Sequence, residues 1–451
     1  MKILLVANGM PPSAFGGVET YTSDLARALH QAGHTVSVFC RESDFSAPDY
    51  TVRDEIEEGK RLIRVVNDYK QIVSFRETFL DPHIEQIFQA ALEEIRPDVI
   101  HFQHLIALSA RLPDVAAAQN IPFITTLHDF WALCQRINLF DWRDTVCPGP
   151  QQGGDCYICT RGGAEQPGLP PAQSAPLRLF KRLVPPAGRR RIRGWFFPRQ
   201  EASRQPPALA SSRQVFEERY AVFKRSLLLS AGLLAPSAYV REQYIANGYP
   251  QEIAVLPLGI NPPDPTEPAS TGGPLVFGAI GSVIPIKGFD RLIQAFRAVR
   301  QADVRLHIYG RQDIAPAYME RLTKLIDQDE RIRFMGPFPP DQRSQVYRQI
   351  DALVIPSIVP ETFSLVAREA LLHHKPVIAS RLGALGEVVS DRQNGFLFSS
   401  NDPDELTRIL SSIAADPETL QALKLPGPFL IYSFTDHLQK LEELYSHLHD
   451  R

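Results

Sequence analysis

No run of apolar residues in this 451-residue chain approaches the roughly 18 that a transmembrane helix requires. The opening MKILLVANGM carries one lysine and a short apolar run before a polar Asn-Gly, which suits a buried first strand better than a secretory leader. A cytoplasmic location is therefore expected, with attachment at the inner face of the membrane left open. Charge of one sign is lacking as well. The formal net charge is -3, which argues against a dedicated nucleic-acid binder, and no nucleic-acid partner is expected. Cysteine is scarce: there are five, an odd number, and four crowd between Cys134 and Cys159, unlike a secreted disulfide framework. A G-x-G-x-x-G spacing is missing after the first apolar run, where the residues read NGMPPSAFGG. That omission disfavours an NAD-dependent oxidoreductase.

What is present is a long series of alternating strand and helix signals, and the length predicts two to three domains. Lys2 to Ala7 reads as a strand, Val18 to His30 as a helix ending at Gly33, and Thr35 to Cys40 as the next strand, which together predict a parallel sheet. The loop between them holds Gly16 and Gly17 just before the helix, where bare backbone N–H groups and the positive helix end can meet a phosphate; the other reading is a tight turn. Asp98 to Gln103 and Phe123 to His128 are further strands. His128 stands at a strand's C-terminal end, where it either contacts a ligand, with Asp129 fixing its tautomer, or serves the structure. Gly232 to Ala235 and Ile253 to Leu258 are predicted strands, with a helix from near Tyr239. The proline-rich GINPPDPTEPASTGGP that follows has linker composition.

A second series begins at Leu275, with strands at Leu275 to Gly281, Val304 to Gly310 and Ile332 to Gly336. Lys287 lies in the loop after the first of these, within reach of an incoming phosphate. The stretch from Asp351 to Glu387 reads as a buried strand, a polar loop with Glu361, a helix with Glu369, and a strand entered through Pro376. Two carboxylates, one before a helix and one inside it, can point at one ligand above the strand's C-terminal end; the alternative is a capping acid and a solvated helix residue. The apolar spacing at Leu438, Leu441, Leu444, Tyr445 and Leu448 predicts a last helix packed on another domain.

Two segments stand apart. Cys134, Cys147, Cys156 and Cys159 make a structural zinc site chemically sensible, although Cys156 and Cys159 alone have chelate spacing; the alternative is free buried or redox thiols. From Arg161 to Arg199 nine basic residues face a single acid, Glu165, with apolar residues between them. That composition suits an anionic membrane surface or a lipid-phosphate acceptor, or else a solvated insertion.

Taken in order, GGVE, HD after a strand, APS before a helix, LPLGI at the linker, IKGFD and PETFSLVAREALLHHKPVIAS resemble glycosyltransferase family 4. The resemblance covers nearly the whole chain outside 160–207. It implies an α/β protein of the GT-B fold, with two Rossmann-like doubly wound domains facing across a cleft. The acceptor-side domain would span 1–260 plus the helix 434–451, with the cysteine-rich loop 134–159 and the basic insertion 160–207, and the nucleotide-sugar domain would span 261–433. The reaction implied is retaining transfer from a UDP- or GDP-sugar to a glycan or glycolipid acceptor, in surface polysaccharide synthesis, with no catalytic metal. Glu369 would hold the ribose, and Glu361 with the backbone of Phe363, Ser364 and Leu365 the donor sugar. Lys287, Gly16 and Gly17 would meet the diphosphate, and His128 would lie beside the reacting sugar. Ser282 stands where relatives often carry a phosphate-binding arginine, and Arg311 where they often carry a small acidic or glycine residue. A same-fold soluble transferase acting on a sugar or sugar phosphate, and a nucleotide-binding scaffold with impaired chemistry, are the alternatives.

Overall fold

A computed structural model describes residues 1–14, 16–161, 212–260, 273–423 and 432–450. The basic stretch 161–199 beyond Arg161, and linker residues 261–272, lie outside the described residues. Two sheets organise the rest. The first comprises β1 (Lys2–Ala7), β2 (Thr35–Glu42), β3 (Val52–Glu57), β4 (Lys60–Val66), β5 (Val99–Phe102), β6 (Phe123–Thr126), β7 (Gly232–Ala235) and β8 (Ala254–Val255). Its spatial order is β3-β4-β2-β1-β5-β6-β7-β8, and only the β3–β4 pair is antiparallel. The second comprises β9 (Leu275–Ile280), β10 (Val304–Tyr309), β11 (Ile332–Gly336), β12 (Ala352–Ile355), β13 (Val377–Ser380) and β14 (Gly395–Phe398). It is wholly parallel, in the order β11-β10-β9-β12-β13-β14, the 3-2-1-4-5-6 arrangement of doubly wound folds.

The strands read as near-continuous apolar runs because helices cover both faces of such sheets. In β1 every residue after Lys2 is buried. The helix Gly17–Gln31 places Tyr21, Thr22, Leu25, Ala26 and Leu29 inward, at the spacing of one helical face. The strand expected over Ile253 to Leu258 shrinks to Ala254–Val255, because Pro257 cannot donate to the ladder. The β3–β4 hairpin has no counterpart among the sequence expectations. Its turn uses Glu58 and Gly59, both at positive φ, as a two-residue hairpin loop demands.

The last helix, Phe434–His449, crosses to the first sheet. Tyr21 Oη lies 2.5 Å from His437 Nε2, His101 Nδ1 lies 2.6 Å from Tyr445 Oη, and His34 Nε2 lies 2.8 Å from Glu442. Leu441 and Tyr445 are buried in this contact, whereas Leu444, expected inside, is 37% exposed. One core cluster runs through both halves, joining Leu5 and Leu256 to Leu353, Phe363 and Tyr445. No described helix is long and apolar enough to cross a membrane.

Candidate functional site

The open ends of β9 and β12 lie at the point where strand order reverses, and their following loops touch. Gly288 makes the touch possible: its φ is +68°, and a Cβ there would fall 2.0 Å from the Pro356 carbonyl oxygen. Only glycine fits. The Ile358 N–H donates to the Ile286 carbonyl at 3.0 Å, joining the Lys287 loop to the Glu361 loop.

This joint brings Lys287 and Glu361 together as an ion pair. Lys287 Nζ donates to Glu361 Oε1 at 2.7 Å, and the Ser357 hydroxyl donates to the same oxygen at 2.5 Å. Burial raises the carboxyl's pKa, but the ammonium and the two hydrogen bonds outweigh it and hold Glu361 below its ordinary value. Glu361 is thus an anion, and Lys287, read from sequence as a cation for phosphate, already has an acid beside it. The backbone at Glu361 is pinned too. Ala384 N–H donates to its carbonyl at 2.7 Å, and Gly383 (φ +62°) approaches so closely that a Cβ would sit 2.3 Å from that oxygen.

Glu369, on the helix Leu365–Leu372, belongs to a second group. Its Oε2 accepts from Tyr347 Oη at 2.9 Å, and its Oε1 lies 3.1 Å from Arg343 Nη1. Burial raises its pKa, against the opposing pull of Arg343 and Tyr347. Between the two glutamates, Phe363 is buried and Ser364 caps the helix at φ +58°, its buried hydroxyl without a partner. Leu365 faces the first domain: its Cδ1 lies 4.0 Å from where a Cβ on Gly17 would be. Gly16 opens the helix Gly17–Gln31, and a Cβ there would collide with the Glu19 carboxylate. Ser282 contributes a carbonyl to the Ile284 N–H at 2.9 Å and supplies no charge. Arg311 is bound to Asp313 at 2.9 Å.

His128 lies in the first domain with its ring buried. Its Nε2 is 2.7 Å from Gln103 Oε1, and the Tyr21 ring centroid is 5.2 Å away. Burial pushes its pKa down to about 3, so the ring is neutral. Asp129 does not orient it. That carboxylate instead accepts from His104 Nε2 at 2.9 Å and from the Trp131 N–H at 2.8 Å. His104 Nδ1 accepts the Ile106 N–H at 3.0 Å, which leaves the ring proton on Nε2, toward Asp129. Burial lowers His104's pKa, but Asp129 reverses the sign and the net shift is upward.

The cysteines do not form the expected cage. Cys134, Cys147, Cys156 and Cys159 are free thiols, and among the described residues no three cysteine, histidine or acidic side chains close on a point that could hold a metal ion. Cys156 and Cys159 share the short helix Cys156–Arg161, while Cys147 sits on a separate turn where it accepts the Gly149 N–H at 3.4 Å. Burial pushes Cys134 up to about 11 and Cys156 up to about 12, which keeps both protonated.

Sequence reasoning missed Ser357, Tyr347, Arg343 and the His104–Asp129 pair. Ser357 had a signal, since it lies four residues before Glu361 in the same strand-end loop. Tyr347 and Arg343 precede β12 by sequence and meet Glu369 through the fold alone.

Residues 15–146 match the family described as Glycosyltransferase Family 4, and residues 274–416 match Glycosyl transferases group 1. A D-inositol 3-phosphate glycosyltransferase of Corynebacterium efficiens is 33% identical over 151 residues, which is 32% of this chain and 35% of that one. An uncharacterized glycosyltransferase of Methanocaldococcus jannaschii is 29% identical over 202 residues, 45% of this chain and 54% of that one. The chain thus spans about a third to a half of the length of these curated relatives. Among solved structures, sucrose-phosphate synthase from Thermosynechococcus elongatus superimposes with a TM-score of 0.62 at 20% identity, covering 99% of this chain and 98% of that one. HepE from Anabaena, in complex with UDP and glucose, gives 0.63 at 17% identity, with 99% of each chain covered.

Proposed function

Because the chain belongs to the group 1 and family 4 glycosyltransferases of the GT-B fold, we propose that it is a retaining enzyme. It moves a sugar from a UDP- or GDP-sugar to a glycan or glycolipid acceptor in surface polysaccharide synthesis. The observation that carries this reading is the partly buried Lys287–Glu361–Ser357 network at the sheet's switch point, the place where doubly wound folds hold their ligands.

The chain's own groups suit the chemistry. Lys287 offers an ammonium to the diphosphate as its negative charge grows in the transition state, and the N–H groups that open the helix Leu365–Leu372 add positive potential. Glu361, kept ionised, accepts hydrogen bonds from donor-sugar hydroxyls. Glu369, held by Arg343 and Tyr347, keeps spare acceptor capacity on its carboxyl oxygens for a ribose diol. Gly16 and Gly17 present bare backbone from the facing domain, and neutral His128 acts by hydrogen bonding or shape rather than charge. The basic composition of 161–199 supports an anionic lipid or lipid-linked acceptor.

The test is a panel of UDP- and GDP-sugars assayed for transfer and hydrolysis, with binding measured in parallel. Turnover of one donor, lost in Lys287→Ala, supports the reading. A specific observation favours a second: with Ser282 in place of a cation and Lys287 paired to Glu361, a nucleotide-binding scaffold would bind a nucleoside diphosphate and turn over none of the panel. Flotation with anionic and neutral vesicles, with and without residues 162–207, checks the membrane component; equal recovery in both would remove it.

A further inference from the structure

The loop carrying Glu361 is gripped from the first domain. The Ser237 hydroxyl donates to the Thr362 carbonyl at 2.7 Å. In the opposite sense, the Glu387 carboxylate accepts the consecutive N–H groups of Ala238 and Tyr239, at 3.0 and 2.6 Å. Those groups open the helix Ala238–Ala246, and the first N–H groups of a helix have no partner within it. Ser237 caps Val240 at 3.2 Å from inside the first domain. The other donors are capped by an acid from the second, where the positive helix end favours a carboxylate.

Glu387 is itself wired to the donor loop. It lies on the short helix Leu385–Val388, whose approach is fixed by the Ala384-to-Glu361 hydrogen bond and the Gly383–Glu361 bridge. From the first domain the connection therefore runs through Glu387 and Ala384 to Glu361, and from there to Lys287. Arg368 adds a reason for an acid at this position. Its guanidinium is 3.6 Å from the Phe363 ring centroid, it is 6% exposed, its Nη1 lacks a partner, and Glu387 supplies the negative charge acting on it.

We propose that Glu387 is a positioning residue: by capping a helix of the opposite domain it couples the seating of that domain to the order of the 361–364 loop. The donor site for a nucleoside diphosphate sugar is then complete only when the two domains are clasped. This rests on the reading of that loop as the donor site. Both contacts of Glu387 are open to water, so each is modest, as a clasp that must release product requires.

Hydrogen exchange on the full chain, read beside equilibrium binding of UDP and of GDP, tests the coupling. Glu387→Asp keeps the charge beside Arg368 but shortens the reach to Ala238 and Tyr239; Glu387→Gln keeps the reach and removes the charge. In Glu387→Asp, amides 361–364 are expected to exchange about fivefold faster or more, the loss of one or two modest hydrogen bonds. The strands β9 to β14 should be unchanged, and the affinity for the nucleotide that wild type binds should fall by a similar factor. Unchanged exchange at 361–364 in both variants overturns the proposal, as does faster exchange with unaltered nucleotide affinity. A wild-type chain that binds neither nucleotide would instead fail the donor reading, while the exchange comparison still decides the coupling.

Discussion

Lys287 and Glu361 are bound to each other at 2.7 Å, so the ammonium best placed for a diphosphate has a competing acid within the protein. A phosphate must share or displace that contact. On the proposed function the pair sets donor affinity and transition-state stabilisation against one another, and the two substitutions are expected to move them differently.

Lys287→Ala is expected to lower kcat/KM by about a hundredfold or more, the scale of a lost electrostatic stabiliser. Glu361→Gln frees the ammonium: nucleoside diphosphate should bind about tenfold tighter, a gain of roughly 1.4 kcal/mol, while turnover falls because the sugar loses its acceptor. Isothermal titration and steady-state rates on the same preparations check both directions, and weaker nucleotide binding in Glu361→Gln would contradict the competition.

Glu369→Ala removes a carboxyl group that Tyr347 and Arg343 hold in place. Nucleoside diphosphate affinity should fall by about 1.5–3 kcal/mol, the range for hydrogen bonds to charged groups. Tyr347→Phe keeps the carboxylate and should cost less, on the order of 1 kcal/mol. Equal losses in the two would place the tyrosine, rather than the acid, against the ligand.

Gly383→Ala puts a Cβ against the Glu361 backbone at a φ of +62°, where side chains are strained by about 1–3 kcal/mol. Activity should drop further than thermal stability, because the displaced atoms belong to the proposed donor loop. A fully active Gly383→Ala would mean that the loop tolerates a shift.

Three buried histidines make the docking of the last helix sensitive to acid. Burial lowers His101 well below its ordinary value, His128 to about 3 and His437 to about 4. Unfolded, each ring would take a proton below pH about 6.5; folded, each stays neutral to lower pH. The unfolded state then binds more protons, so stability falls as pH drops below about 6.5, by up to about 1.4 kcal/mol per pH unit for each ring. Denaturant midpoints between pH 7 and 5 measure the slope, and His437→Gln should make it shallower.

How far the sequence revealed these features depended on whether each relied on local or long-range contacts. Most of the parallel strands are legible because buried runs such as ILLVA and ALVI carry their own signal, whereas β4 and β14 have no counterpart among the expectations; Glu361, Glu369 and Lys287 stand out as candidates because each sits in a motif of fixed order. The β3–β4 hairpin is not legible beyond the Glu58-Gly59 turn, because β3 (VRDEIE) is mostly polar and exposed and carries no alternating pattern. The pairing of Lys287 with Glu361 joins residues 74 apart, and no local pattern specifies it. The same holds for Glu387, whose partners lie 149 and 148 residues upstream. The crowded cysteines left zinc or free buried thiols open in the sequence, and the structure shows free thiols, with no three potential ligands closing on one point among the described residues.

The return of the last helix to the first domain makes the second domain an insert. Its entrance and exit run side by side, with the Ile260 N–H bonded to the Tyr432 carbonyl at 3.1 Å. The two crossings thus meet at one bridge, between Ile260 and Ser433. The same adjacency makes the unit between these junctions a natural cassette: a second domain from a relative could be spliced in at 260 and 432 while the host keeps its own first domain and closing helix intact.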